Sequence, residues 1–181
     1  MLFLHKIMSL NSRIARRILD SKLSSVARDK RVYNLDTATT AGILWMIDQE
    51  ESFKKVEEQL KKAGIKTTGL CYFPNGKAII PEGINGFSKK QTNYWTEIPK
   101  PALVEDFIHQ KFDLLIDLTM QKYFPLIYIT ALSEANFKIG TAGISQNYFD
   151  LNIDFQTSPD TAQLADQILY YLIRINKTTI E

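Results

Sequence analysis

Three apolar runs in this chain end alike: Met46-Ile47-Asp48, Leu115-Ile116-Asp117 and Asn152-Ile153-Asp154. In an open parallel sheet, ligands bind beyond the carboxyl ends of the strands, at the point where strand order reverses. Aspartates delivered there, with Thr119 just past Asp117, would line a crevice and hold Mg²⁺, share a proton or orient a sugar hydroxyl. If strand order follows the common doubly wound pattern, Asp48 and Asp117 face one another across that crevice. The competing reading needs no ligand. A strand-end aspartate readily caps the turn or helix that follows it.

Other chemistry is sparse. Cys71 is the single cysteine and lies between Leu70 and Tyr72, the setting of a small core residue. No internal disulfide or Cys-based zinc site can form, and with only His5 and His109 beside that thiol no transition-metal centre is expected. His109 precedes Gln110-Lys111 at the end of a predicted helix, and no Gly-x-Ser-x-Gly elbow exists for it to serve as a base. A dinucleotide fold places a glycine-rich turn after its first strand; here stands Asp48-Gln49-Glu50-Glu51-Ser52, whose carboxylates would repel a phosphate from the helix N-terminus. No cofactor is therefore expected. Thr141-Ala142-Gly143 follows a later strand and reads as a tight turn beside the crevice.

Charge is distributed unevenly. Residues 1–35 carry Lys6, Arg13, Arg16, Arg17, Lys22, Arg28, Lys30 and Arg31 against Asp20 and Asp29, a net of +6 within a chain whose total is +2. A basic arm on a mildly acidic body is the clearest hint of a partner. Leu4, Ile7, Met8, Ile14 and Ile18 fall near one stripe of a helix predicted over 1–31. In one reading that stripe packs on the body and the arginines are a solvated face. In the other, Lys6, Arg13, Arg16, Arg17, Arg28, Lys30 and Arg31 engage an anionic partner, either RNA (the ribosome included) or membrane headgroups. Tyr94, Trp95, Tyr148 and Phe149 are the aromatics available for base stacking.

The elements that must position these residues follow from periodicity. Phe112-Asp113-Leu114-Leu115-Ile116-Asp117-Leu118 is a buried central strand, Thr119 to Tyr123 a polar connection, Pro125 to Leu132 a helix apolar on most sides, and Phe137 to Gly140 the next strand. Ahead of this unit come a strand over Gly42–Ile47, a helix over Glu50–Ala63 ended by Gly64, and a strand over Ile65–Phe73. Lys77 to Asn93 is irregular, with a short edge strand, and Tyr94-Trp95 reads as another brief strand. A helix runs through Leu103, Val104, Phe107 and Ile108. Leu151–Phe155 is the last strand, and Ser158 caps a final helix with Pro159 in its first position. The alternation predicts an α/β fold: a single Rossmann-like, doubly wound, mainly parallel sheet over 36–181 with a basic helical N-terminal extension over 1–35.

The series from Gly42-Ile-Leu-Trp through Phe112-Asp-Leu-Leu-Ile-Asp-Leu, Phe124-Pro-Leu, Ala131-Leu-Ser-Glu-Ala and Phe137-Lys-Ile-Gly to Tyr148-Phe-Asp-Leu-Asn-Ile-Asp resembles an uncharacterised family of short bacterial α/β proteins. That resemblance covers nearly the whole chain and implies a fold without assigning catalytic residues. Residues 112–140 are also similar to the acceptor-side half of heptosyltransferase-type glycosyltransferases, from which the chain departs in its first loop, Asp48-Gln49-Glu50.

The expectation is a non-catalytic binding or scaffolding module whose basic arm engages an anionic surface. The alternative is a small-ligand binder or enzyme, sugar- or Mg-dependent, using a crevice at Asp48, Asp117, Thr119 and Asp154. A protein partner or a second copy would complete a third version. The start, Met1-Leu2-Phe3-Leu4, meets His5-Lys6 before a signal-peptide core can form, and a lone cysteine suits a reducing compartment. A cytoplasmic location is expected, peripheral to a membrane if the arm reads lipid.

Overall fold

Four consecutive apolar residues, Ile43 to Met46, are buried on both faces of the strand they form, as a central parallel strand requires. A computed structural model describes residues 2–142, 148–155 and 160–175, with side chains from residue 10 onward. The elements in order are α1 (Leu2–Leu23), β1 (Thr40–Met46), α2 (Glu50–Lys62), β2 (Lys66–Phe73), β3 (Gly86–Ser88), α3 (Pro101–His109), β4 (Leu114–Asp117), α4 (Phe124–Leu132), β5 (Phe137–Thr141), β6 (Leu151–Ile153) and α5 (Thr161–Arg174).

All six strands are parallel, in the order β3-β2-β1-β4-β5-β6. Strand order reverses between β1 and β4, where Gly42 pairs with Leu115 and Leu44 with Asp117. This is the Rossmann-like α/β fold that the alternation of elements predicts. One face of the sheet carries Ile43, Trp45, Ile116 and Ile139 against Val56 and Leu60 of α2 and Leu164, Ile168 and Leu172 of α5. The other carries Leu44, Tyr72 and Leu115 against Val104 and Phe107 of α3, Ile129 of α4 and Leu19 of α1. β1, β2 and β4 therefore divide their side chains between two apolar layers, which is why these runs read as continuous.

Local signals explain the boundaries. Gly64 ends α2 with φ of +82°, the left-handed conformation expected of a helix C-terminal glycine. A Cβ at Gly140 would overlap the ring of Phe149, so glycine at that point of β5 lets that ring pack directly on the strand. Asp113 stands at the amino end of β4 and accepts from the backbone N–H and hydroxyl of Thr39 (2.7 and 2.8 Å), pinning the entry to β1. Partial burial would raise that carboxyl's pKa, but the bonds from Thr39 and Thr40 prevail and hold it below the usual range.

Four expectations need correction. The N-terminal helix stops at Leu23 rather than Arg31, where the hydroxyls of Ser24 and Ser25 turn back to the carbonyls of Ser21 and Lys22. Among its described side chains the buried ones are Ala15 and Leu19; Ile14, assigned to the buried stripe by spacing, is 43% exposed. Tyr94-Trp95 is no strand. The Asn93 side chain accepts from the N–H groups of Trp95 and Thr96 and closes an exposed turn instead. The cap of α5 is Asp160, which accepts from Gln163 N–H at 2.8 Å; Ser158 and Pro159 lie outside the described residues.

Candidate functional site

The crevice at the switch point is occupied by the protein's own side chain. After β1 the chain makes a 3-10 turn over Ile47–Gln49, which swings Gln49 inward and leaves Asp48 exposed. Gln49 is 7% exposed. Its Oε1 accepts from the N–H of Met46 at 2.9 Å, and its Nε2 donates to the carbonyl of Leu118 at 3.1 Å and to Thr161 Oγ1 at 3.3 Å. One amide thus ties the end of β1 to the end of β4 and to the first turn of α5. In nucleotide-binding folds with this sheet order, backbone groups at this position face a ligand; here they face a glutamine. Sequence reasoning weighed the carboxylates of this loop and passed over Gln49. The signal was there: a long amide stands where a glycine-rich turn would leave backbone donors open.

Asp117 and Thr119 are brought together; Asp48 and Asp154 are not drawn in with them. The Asp117 carboxylate is 1% exposed. Its Oδ1 accepts from Thr119 N–H at 2.9 Å and from Thr119 Oγ1 at 2.6 Å, and its Oδ2 from Thr130 Oγ1 of α4 at 2.8 Å. Burial raises its pKa, opposed by the three bonds it accepts. The aspartate faces α4 and serves as a local cap. Asp154 is exposed and accepts from Phe155 N–H at 2.9 Å. Among the described residues, no group of three or more His, Cys, Asp or Glu side chains could hold a metal ion.

Beneath α4 lies a second buried charge that the sequence reading passed over. Lys138 of β5, 2% exposed, donates from Nζ to the carbonyls of Thr130 (2.7 Å) and Ala131 (3.2 Å) in the last turn of α4. Burial, aided by the nearby Arg28 guanidinium, brings its pKa down to about 7. Cys71 is buried, and burial, with Asp48 and Glu50 nearby, pushes its thiol up to about 12, away from reactive thiolate. His109 Nδ1 lies 2.8 Å from Glu134 Oε1 on the rim of a cleft of about 210 Å³ bounded by α1, α3 and α4. Thr141 is half-buried and Ala142 exposed, its N–H donating to the Ile153 carbonyl at 3.0 Å, while Gly143 lies outside the described residues.

The cations of the leader divide sharply. Arg28 donates to the carbonyls of Ala135 (2.9 Å) and Asn136 (3.0 Å) and pairs with Asp150, so its charge holds the leader to the sheet edge. Lys30 lies 3.9 Å from the same Asp150, and Arg31 pairs with Asp29 at 2.9 Å. Arg16 donates to Tyr148 Oη at 3.1 Å. Arg13 and Arg17 are exposed on α1 beside a groove shared with Phe124 and Ile127 at the start of α4. The side chain of Lys6 lies outside the described residues. Of the four aromatics considered for stacking, Tyr94 and Trp95 are exposed (87% and 59%), Tyr148 is half-buried and Phe149 is buried.

A family model covering residues 12–175 matches this sequence. The chain belongs to DUF6913, a family of unknown function. The match takes in Ser12 to Leu23 of α1 together with every strand and helix of the body. No curated protein and no solved structure matches the chain. What the DUF6913 fold does must accordingly be argued from its own geometry.

Proposed function

We propose that this chain is a non-catalytic binding module that docks to an anionic partner through the outward face of α1. The observation that carries this reading is the contrast between an engaged crevice and exposed cations. At the carboxyl edge, Gln49 bridges β1, β4 and α5, and both oxygens of Asp117 already accept bonds from its own neighbours. A sugar or Mg²⁺ would have to displace those contacts, each buried and each costly to leave unmade. On α1, no salt bridge holds Arg13 or Arg17 among the described residues, and both stay in solvent where a phosphate can reach them. Leu19 is fully buried in the core, so the helix that carries these arginines is held rigidly rather than trailing.

The test compares the intact chain with Arg13→Glu/Arg17→Glu for retention on RNA and on anionic lipid vesicles over a salt series. The reading expects retention on at least one of these polyanions that falls as salt rises and drops sharply in the variant. Unchanged retention of the charge-reversed protein would overturn it.

A further inference from the structure

Resting on the reading above, we propose that the outward face of α1 lies on an anionic lipid bilayer. The arginines are not alone there. Leu10 is 55% exposed and Ile14 43% exposed, although α1 is packed against the body through Ala15 and Leu19. Residues three and four apart on a helix are neighbours, so Leu10, Arg13, Ile14 and Arg17 occupy one continuous patch. Positions 3, 7, 10 and 14 fall on a single row of that helix and read Phe, Ile, Leu, Ile. Positions 6, 13 and 17, all cationic, run along one flank of the row. Among the described side chains α1 therefore has two apolar faces: Ala15 and Leu19 are buried, and Leu10 and Ile14 are exposed beside Arg13 and Arg17.

That pairing selects among anionic partners. RNA would use the cations, but it has no counterpart for an aliphatic row, and its recognition surfaces stack bases on aromatic rings. A second copy docked antiparallel would cover the row yet set Arg13 and Arg17 against the same two arginines. A bilayer with anionic headgroups matches both parts, the aliphatic side chains entering the headgroup–acyl boundary while arginines stay at phosphate level. Among the described residues, no helix is long and apolar enough to cross a membrane, so the contact would be in the plane of the surface.

Co-sedimentation of the intact chain with vesicles tests this, using phosphatidylcholine alone and phosphatidylcholine mixed with phosphatidylserine, with a single-stranded RNA arm run beside them. Two variants separate the parts of the patch: Arg13→Glu/Arg17→Glu and Leu10→Ser/Ile14→Ser, with circular dichroism confirming that each stays folded. The expected result is sedimentation with the mixed vesicles only, weakened at least ~10-fold by either double substitution. Binding by Leu10→Ser/Ile14→Ser equal to the parent protein would overturn the proposal, because the aliphatic row would then play no part. Salt-dependent binding to RNA without binding to mixed vesicles would also overturn it while leaving the anionic-partner reading intact. Binding to neither would defeat both. A concentration-dependent dimer abolished by Leu10→Ser/Ile14→Ser would assign the row to a second copy and likewise defeat the lipid proposal.

Discussion

The carboxyl end of the β1–β4 pair and the outer face of α1 both present polar groups in places where proteins bind ligands, yet the fold treats them in opposite ways. At the strand ends the buried groups meet partners, Asp117 with Thr119 and Thr130 and the backbone at Met46 and Leu118 with Gln49, while Asp48 and Asp154 turn out to solvent. On α1 Ala15 and Leu19 are buried, Arg16 and Ile18 between them are half-buried, and Leu10, Arg13, Ile14 and Arg17 are exposed. The difference teaches that an apparent site is defined by what remains unengaged after folding. The buried polar groups at the strand ends bond to one another, whereas Arg13 and Arg17 on α1 remain exposed.

Removing the anchor of α1 should break the comparison most severely. Leu19→Ala is expected to lower unfolding free energy by ~3 kcal/mol in a denaturant titration, the cost of emptying a fully buried leucine site. A loss below ~1 kcal/mol would mean that α1 is not part of the core. Next is the crevice itself. Gln49→Ala strands the Met46 N–H and the Leu118 carbonyl and should cost ~2 kcal/mol, with Gln49→Leu no better because bulk does not replace the bonds. A neutral effect would show that the closure of the crevice is incidental.

Lys138 sharpens the contrast through pH. Its native pKa of about 7 lies below the usual 10.5, so between those values the unfolded chain holds more protons than the native one. Stability contributed by this site is therefore low below pH 7 and rises with pH across that window, with a slope of at most ~1.4 kcal/mol per unit. Lys138→Met should remove that rise in melts taken across the window; an identical profile in the variant would refute the assignment. Smallest of all is the expected stability effect of Arg13→Glu/Arg17→Glu, within ~0.5 kcal/mol of the parent in the same melts, because neither guanidinium holds the fold. A larger loss would return these arginines to the structural class to which Arg28 belongs.

Much of the architecture was legible in one dimension. Continuous apolar runs such as Leu114 to Leu118 announce strands buried on both faces, and the Val56/Leu60 spacing announces a helix with one buried face. Gly64 marks a helix end by its freedom to adopt positive φ. The register of α1 was harder. Its sequence offers more than one apolar row, and spacing alone favoured one that includes Ile14, whereas the surface of α4 receives Leu19 and Ala15.

The chain's own order of residues determined the sheet, its helical crossovers, the cationic leader and the lack of a phosphate-binding turn, because each depends on patterns spanning a few neighbours. Which polar groups remain available was decided only by tertiary contacts. Gln49 meets Leu118 across 69 positions, and Arg28 meets Ala135 across 107. No local pattern reports such a partner, since a hydrogen bond between distant residues exists only after strand order has brought them to within three ångströms or so.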